Sequence, residues 1–526
     1  MTALMLAQPT LPTATAYLPA AEKFNQICGQ LQAAAAQTMT HSDLEKLLES
    51  EGRELLRQLL QAHFEERGTG TVLDPVVDAQ GQRHTQQRQH RRHLESLFGT
   101  VSIVRTGYGG DRQKSLHPLD AALNLPPERY SHTVRQRVAQ AAALTSFDEV
   151  VSQMQQHSGA KVAKRQAEQL TQAAAQDFEA FYAQSSSQRT VSVPTPGDIL
   201  VLSSDGKGIP MRTIDLRPVT RRAASERQHK LKQRRSRGEK SGSKRMGTVA
   251  AVYSSAPFVR TPEQIMTQLR PPVQELPERP PRPQNKRVWA SVAQTPQSVI
   301  RQLFAEAQQR DPMHQQTWAV LVDGSAYQLK IIHLVARDYE VQPTIVLDFI
   351  HVCEYVWGAA WSLFHEGDGA AEVWVRARLL EILRGRSSLV AAAMRRSATR
   401  RGLNQKERGR LDKCANYLLK YRAYLHYDEY LAAGLPIATG VIEGACRHLV
   451  KDRMELTGAR WRLAGAEAVL RLRSLRASGD FADYWKFHLQ QEYQRHHVSQ
   501  YAVGKVPELA TCAATGNKNT HLRLVK

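Results

Sequence analysis

Three apolar segments with the composition of buried strands each lead directly into an aspartate. Asp205 follows ILVLSS, Asp323 follows WAVLV and Asp348 follows TIVL. In α/β sheets, functional groups gather where strands reach their carboxyl ends. The pattern therefore predicts acidic side chains along one edge of a sheet. Asp205-Gly206 and Asp323-Gly324 are also ordinary turn dipeptides, so a plain turn is the alternative at both positions.

The segments around these aspartates predict a β-β-β-α-β-α-β-α order. Residues 199–216 read as two strands around a turn, and MGTVAAVYSS reads as a third strand. The proline-rich segment 271–287 predicts a spacer, after which helices and strands alternate through IHVCEYVWGAAWSLF. Together with the basic charge, this order fits an RNase H-like core, with a mixed five-stranded sheet in which the first and fourth strands are neighbours. Residues 366–436 carry helical patterns and predict an all-α insertion.

The charge balance points to a polyanionic partner. The chain of 526 residues has 71 Lys and Arg against 50 Asp and Glu, a net charge of +21. Nucleic acid is the usual partner of such an excess. Residues 217–245 hold twelve Lys and Arg against two Glu. They predict either a solvated loop or, as we prefer, an arm that orders on phosphates, with these candidate DNA-binding residues: Arg221, Arg222, Lys230, Lys232, Arg234, Arg235 and Arg237.

The N-terminal part reads as helices plus one pair of strands. Ser42-x-x-Glu45 has the pattern of a capping box, and residues 94–110 predict a short hairpin. Residues 117–185 predict an all-α DNA-binding region whose second and third helices have helix-turn-helix spacing. There Lys161, Lys164 and Arg165 begin the recognition helix, although surface cations of this kind occur on any helical bundle.

Several classes of protein are excluded by simple features. No apolar run reaches the ~18 residues of a transmembrane helix, so we expect no membrane partner. The chain has five cysteines and no CxxC pair, which excludes a disulfide scaffold or a zinc ribbon. The N-terminus has no Lys or Arg before Lys23 and does not resemble a secretory signal. We expect a cytoplasmic, nucleoid-associated protein.

Four motifs resemble bacterial insertion-sequence transposases of the ISKra type. They are SSDGKGI, VLVDG, VLDFIHVCEYVWGAAWSLF and TGVIEGACRHLVKDRM, followed by GARWRLAGAEAVLRLRSL. The resemblance covers most of residues 40–495. It implies a DDE catalytic triad, cleavage of transposon ends and joining of the 3′ hydroxyls to target DNA.

The resemblance places the first catalytic acid at Asp205 and the second at Asp323 or Asp348. In a 3-2-1-4-5 sheet, Asp348 ends a strand one further from Asp205, about 10 Å away at ~4.8 Å per strand. We therefore prefer Asp323. Asp348 and His351 match a D-x-F-H type motif, and we expect them to support the metal ligands or position DNA. Asp348 as the second ligand remains the alternative.

The third acid is assigned to Glu443 on the helix that begins near TGVIEGACRH. Thr439 is the expected N-cap, and Gly440 and Gly444 share a face that would let the helix approach the sheet closely. Arg447 can pair with Glu443 or bind a phosphate. Glu354, on the helix after strand five, is the competing candidate for the third acid.

Carboxylate oxygens without a Cys/His cluster suit two Mg²⁺ or Mn²⁺ ions. The partners implied are the terminal inverted repeats and target DNA, bound by a homo-oligomer. The alternatives are an RNase H-like resolvase that cuts without joining, and a non-catalytic DNA-binding protein derived from a transposase. The expected domains are 1–115, 116–190, 191–365 with the basic insertion, 366–436, and 437–526.

Overall fold

The computed structural model describes residues 15–110, 114–188, 197–225, 243–269, 280–456 and 458–510. The chain divides into two compact units. One combines Met1–Asp177 with Ala482–Lys526, and the other is Phe178–Phe481.

The strands and helices follow one another along both units. The strands are β1 (Val76–Val77), β2 (Arg83–His84), β3 (Gln86–Ser96), β4 (Gly99–Gly109), β5 (Ile199–Pro210), β6 (Lys244–Ser255), β7 (Gln284–Ser291), β8 (Thr317–Val322) and β9 (Thr344–Leu347). The α-helices are α1 (Leu18–Gln32), α2 (Ala34–Gln37), α3 (His41–Glu66), α4 (Pro118–Ala122), α5 (His132–Ala142), α6 (Phe147–His157), α7 (Lys164–Ala174), α8 (Phe178–Gln188), α9 (Pro218–Ser225), α10 (Pro262–Gln268), α11 (Pro296–Arg310), α12 (Ala326–Asp338), α13 (Phe349–Ala360), α14 (Gly369–Leu383), α15 (Ser387–Arg400), α16 (Gln405–Lys420), α17 (Tyr427–Ala432), α18 (Gly440–Ala445), α19 (Asp452–Met454), α20 (Leu463–Ser478) and α21 (Phe481–His496).

The first unit contains the predicted hairpin and helices. The hairpin β3–β4 begins at Gln86, earlier than expected, and pairs Ser96 with Gly99 across a tight turn. The strands β1 and β2 form a second, short pair that the sequence does not predict, while the described elements from Pro118 to Gln188 are all helices, as expected. The cap of α3 differs from the expectation at Ser42. Thr40 is the N-cap, and its hydroxyl accepts from the Asp43 amide.

Helices α5, α6 and α7 pack around one apolar cluster in the first unit. Ser131 and Ser146 cap α5 and α6 by accepting from the amides of Val134 and Glu149. The buried cluster comprises Tyr130, Val134, Val138, Ala142, Val150, Met154, Ala160, Val162, Ala167 and Leu170. Helix α7 begins only at Lys164, so Lys161 lies in the turn that precedes the helix.

The second unit is built on a mixed five-stranded sheet with the order β7-β6-β5-β8-β9. Strands β5, β8 and β9 are mutually parallel, while β6 pairs antiparallel with β5 and β7. The 3-2-1-4-5 arrangement expected from the sequence is confirmed. Its members differ, because residues 209–216 form no separate strand. The third strand is β7, which begins inside the proline-rich segment 271–287 where a spacer is expected.

Helix α20 lies along the edge strand β7. The hydroxyls of Ser474 and Ser478 accept from the amides of Ala290 and Val288 at 3.3 and 3.0 Å. Sheet edges carry unpaired backbone groups that attract other strands. The two serine hydroxyls therefore give two backbone amides of this edge a hydrogen-bond acceptor. The helical character expected for residues 366–436 is confirmed by α14 to α17.

Candidate active site

Asp205 lies inside a strand rather than at its end. β5 continues to Pro210 and pairs with β6 throughout, with Asp205 opposite Val249. The turn reading of Asp205-Gly206 is therefore wrong. The pairing of β5 with β8 ends at Ser203 and Leu321. Asp205 thus stands just beyond the last parallel pair, where β5 has a neighbour on only one side.

Asp323 directly follows β8 at the same level of the sheet. Asp205 and Asp323 each lie two residues beyond Ser203–Leu321, the last pair between the parallel strands β5 and β8. Asp323 Oδ1 accepts from the Ser325 amide at 3.0 Å. Gly324 has a φ of 91°, a conformation that favours glycine. The turn after β8 is therefore real, and it places Asp323 at the carboxyl end of the strand.

Asp348 is buried and engaged by protein donors. Its Oδ1 accepts from the amides of Ile350 and Thr439 at 3.1 and 3.3 Å. Its Oδ2 accepts from the Thr439 hydroxyl at 2.8 Å. Burial raises the pKa of this carboxyl despite these hydrogen bonds. The arrangement gives Asp348 a positioning contact with the loop that leads into α18.

Thr439 immediately precedes α18, as expected, but its side chain makes no capping bond to the helix. The hydroxyl donates to Asp348 instead. The sequence pattern locates the start of the helix correctly but gives the wrong hydrogen-bond partner for Thr439. A threonine hydroxyl can bond to the local backbone or elsewhere, and here it bonds to a residue 91 positions away.

Glu443 stands on α18 near the strand acids. Partial burial of its carboxyl raises the pKa, and the negative charges of Asp348, Glu354 and Asp205 raise it further. Carboxylates whose charges raise the pKa of a neighbouring acid form a region of negative potential that favours a cation. The side chain of Glu443 is exposed, so a ligand can reach it.

The two glycines that flank Glu443 do not serve close packing. A Cβ added at Gly440 or Gly444 would meet nothing within 4 Å. The expectation that they allow α18 to approach the sheet is therefore wrong. The space above them is open.

The Glu443 helix changes its winding just after the acid. Residues Cys446–Lys451 form a π-helical segment between α18 and α19. Such segments are rare and occur frequently at functional sites. Here the segment begins at Cys446, whose Sγ donates to Asp205 Oδ2 at 3.1 Å.

Cys446 is the functional candidate that sequence reasoning misses, because a lone cysteine in an apolar helix indicates only a buried thiol. Burial, followed by the charge of Asp205, raises the pKa of this thiol well above its ordinary value. The group therefore stays protonated and acts as a hydrogen-bond donor. Its three-residue spacing from Glu443, which puts both on one helix face, is the signal that the sequence offers.

The remaining candidates near the acids have other partners. His351 Nδ1 lies 3.2 Å from Glu354 Oε2, and both side chains reach solvent. Arg447 does not pair with Glu443. Its Nε lies 3.9 Å from Asp452 Oδ1, on an exposed part of the helix.

The candidate DNA-binding cations divide into three groups. Lys161, just before α7, and Lys164 and Arg165, at its start, are exposed, and Lys164 Nζ lies 2.7 Å from Asp148. Arg221 and Arg222 belong to α9, where neither is buried. The other five lie outside the described residues: Lys230, Lys232, Arg234, Arg235 and Arg237.

The donor chemistry at the sheet edge fits a hard divalent cation. Asp205, Asp323 and Glu443 offer carboxylate oxygens, the ligands that Mg²⁺ and Mn²⁺ prefer. Their oxygens are not all within 4.8 Å of one another. In the described ranges, Asp177, His488 and Glu492 are the one group of three such side chains that meets this distance.

The Asp177 group is an ion-pair network rather than a metal centre. Arg495 pairs with Asp177, and Arg135 lies 2.7 Å from Glu492. His488 Nδ1 lies 2.7 Å from Asp177 Oδ2. Two buried carboxylates are thus balanced by two guanidinium groups, and a divalent cation would be repelled by both arginines.

No family model, no curated protein and no solved structure matches this chain. In the part of the chain that the structure describes, no helix is both long enough and apolar enough to cross a membrane.

Proposed function

We propose that this chain is a DDE transposase of the ISKra type with an RNase H-like core. It cleaves the ends of a DNA element and transfers its strands to target DNA. The observation that supports the proposal is that Asp205 and Asp323 each follow the last pair of the neighbouring parallel strands β5 and β8 by two residues. Glu443 supplies a third carboxylate from a helix after the sheet, and its pKa is raised by partial burial and then by the charges of the nearby acids.

Asp205, Asp323 and Glu443 would hold two Mg²⁺ or Mn²⁺ ions. When bound, such a pair lowers the pKa of an attacking water or hydroxyl and stabilises the leaving oxygen of a phosphodiester. Asp348 holds the entry to α18 through Thr439, and Cys446 holds one oxygen of Asp205. These two contacts fix the orientation of the carboxylates before DNA arrives.

Positive groups near the acids suit a phosphate substrate. Lys207 follows Asp205 by two residues and so shares its face of β5. Its charge lowers the pKa of Cys446, the thiol that donates to Asp205. The net charge of +21 favours long-range attraction of DNA. Because an element has two ends, a homo-oligomer bound to both terminal inverted repeats is part of the proposal.

A plasmid carrying the DNA that flanks the coding region tests the proposal. The full chain should nick this plasmid in Mg²⁺ and join the released 3′ ends to a second DNA. Asp205→Asn, Asp323→Asn and Glu443→Gln should each lower the rate by about a thousandfold, a loss of ~4 kcal/mol in the transition state. Glu429→Gln, at an exposed acid, is the matched control.

The outcomes separate the proposal from its alternatives. Cleavage without joining identifies a resolvase-type nuclease. DNA binding without metal-dependent cleavage identifies a non-catalytic derivative. If Asp323→Asn remains active while Asp348→Asn is inactive, the second ligand is Asp348. An inactive Glu354→Gln beside an active Glu443→Gln moves the third ligand to Glu354.

A further inference from the structure

A cavity of about 350 Å³ opens beside Asp323. It lies between the turn after β8, helix α13 and helix α16, and six of its lining residues matter here: Asp323, Tyr355, Lys413, Tyr417, Lys420 and Tyr421. The volume falls in the range of sites that take small organic molecules, on the order of 300–1,000 Å³. One wall of the cavity thus comes from the helical insertion and another from the turn that carries a proposed metal ligand.

Tyrosine rings form much of the wall. The rings of Tyr355 and Tyr417 are stacked, with centroids 3.8 Å apart and planes 11° apart. Tyr421 meets Tyr417 edge-on at 4.9 Å. Tyr417 and Tyr421 are four residues apart, so they project from one side of α16 and its C-terminal end. Tyr355 is half-buried, which leaves part of its ring open to the cavity.

Two lysines lie over these rings. Lys413 Nζ is 5.5 Å from the centroid of Tyr355, and Lys420 Nζ is 4.7 Å from that of Tyr421. Both lysines are exposed, and both line the cavity. The cavity therefore combines aromatic faces with two cations that can bind an anion.

This combination has the chemistry of a nucleotide site. An unpaired base of any of the four types can stack on a tyrosine ring, and lysines can contact the neighbouring phosphate. Enzymes that act on a base within DNA take its nucleotide out of the stack into such a pocket. The position beside Asp323 brings that nucleotide next to the proposed metal centre.

We propose that the cavity binds one unstacked nucleotide of the DNA strand that is processed at Asp323. The base lies against the half-buried ring of Tyr355, and Lys413 and Lys420 contact the phosphates. This inference rests on the proposed transposase function and adds a base-binding site to it. A free nucleotide carries the same base and phosphate as a nucleotide of DNA, so the test also measures binding of the monophosphate dTMP.

The experiment uses the full chain and a single-stranded oligonucleotide with one 5-iodouracil, which forms adducts with aromatic side chains that stack on it under ultraviolet light. We expect adducts in the peptides of α13 or α16. Tyr355→Leu should weaken binding of the oligonucleotide by about tenfold, whereas Tyr355→Phe keeps the ring and should bind like the parent. Tyr339→Leu, just after the end of α12, is the control.

A second variant guards against a folding defect in Tyr355→Leu. Lys413→Gln changes an exposed side chain, and it should weaken binding and flatten the salt dependence. Adducts elsewhere, with unchanged affinity in Tyr355→Leu and Lys413→Gln, would overturn the inference. If both variants weaken dTMP binding as much as they weaken oligonucleotide binding, the inference is also overturned, because the cavity is then a site for free nucleotides. Plasmid cleavage by the parent is scored separately, so a chain that cleaves DNA but fails these tests loses only the cavity assignment.

Discussion

Thr439 donates its hydroxyl proton to Oδ2 of Asp348 across 2.8 Å, and this hydrogen bond joins the residue after β9 to the residue before α18. The Thr439 amide adds a second bond to Oδ1 of the same carboxylate. Asp348 is only 3% exposed. A buried carboxylate needs such donors, because an unmet acceptor in the interior is costly. The contact therefore fixes where the Glu443 helix begins.

Removing the Thr439 hydroxyl should affect both stability and cleavage. Thr439→Val leaves Asp348 Oδ2 without its hydroxyl donor, and we expect the free energy of unfolding in urea to fall by about 1–3 kcal/mol. Cleavage should fall by about tenfold because Glu443 is less firmly placed. Thr439→Ser keeps the donor and should retain both. Lower stability with unchanged cleavage would mean that the bond holds only the loop.

The thiol of Cys446 should set how well Asp205 receives a metal. Partners of a metal-ligating carboxylate typically change metal affinity by about 10–100-fold when they are removed. We expect Cys446→Ala to raise the Mg²⁺ concentration for half-maximal cleavage by about tenfold. Cys446→Ser retains a donor and should stay close to the parent. Equal Mg²⁺ requirements in the two variants would remove Cys446 from the site.

The buried pair between Arg135 and Glu492 gives the first unit a pH dependence with a definite sign. The two side chains are 1% and 2% exposed. Burial raises the pKa of Glu492, but the charge and hydrogen bond of Arg135 outweigh it, and the net pKa is lowered. The carboxylate therefore contributes stability above the ordinary glutamate pKa of about 4.3. That contribution is lost as the pH falls through the lowered value.

Urea unfolding across a pH series measures this contribution. Glu492→Gln cannot titrate at this position, so its urea midpoint should fall less steeply than that of the parent below about pH 4.3. Asp148→Asn changes an exposed acid paired with Lys164 and should keep the profile of the parent. Parallel profiles for the parent and Glu492→Gln would show that other carboxylates control the acid unfolding.

The sequence predicted the sheet order better than it predicted the strands. Apolar runs before Asp323 and Asp348 located β8 and β9, because parallel strands buried on both faces read as continuous apolar segments. β7 was missed because its first half, Gln284–Arg287, is polar and follows prolines. Its place in the sheet depends on pairing with β6 and on coverage by α20, which no local pattern records.

The candidate site was predicted as a set of acids but not as a set of contacts. Strand ends and the resemblance point to Asp205, Asp323 and Glu443. The bonds from Thr439 to Asp348 and from Cys446 to Asp205 join residues 91 and 241 positions apart. Such contacts depend on the tertiary fold, which a local pattern does not record. The expectation of close packing at the glycines of α18 is wrong for the same reason. Of the two roles open to Arg447, the pair with Glu443 is not formed, and its Nε lies 3.9 Å from Asp452 Oδ1 instead.

The basic segment should control the salt dependence of DNA binding. Deleting residues 221–240 removes nine Lys and Arg and two Glu. If these cations bind phosphates, the slope of log affinity against log salt should flatten by about 0.9 for each phosphate that is no longer neutralised on duplex DNA. Affinity should fall alike on all sequences. An unchanged slope, measured by anisotropy across several salt concentrations, would return the segment to the role of a solvated loop.

The helices of the first unit are the place where we expect sequence recognition. Phosphate contacts position DNA but carry little sequence information, so a transposase needs a separate element that reads bases at its own ends. This unit also includes the chain from Ala482 onwards. There Tyr484 of α21 donates to the Ala174 carbonyl at 2.6 Å. A fragment that stops near residue 190 would lack them, and the test therefore uses the full chain.

The cations at the start of α7 should decide which DNA is bound. Lys161, Lys164 and Arg165 are exposed there, after α6 and a short turn, as in a helix-turn-helix. We expect replacement of each by alanine to weaken binding to the element's terminal repeat by about tenfold, within the ~1–3 kcal/mol typical of a base contact. Binding to random DNA should change less. Competition gel shifts at fixed salt measure both affinities, and equal losses on the two DNAs would assign these cations to phosphates and move end recognition elsewhere in the chain.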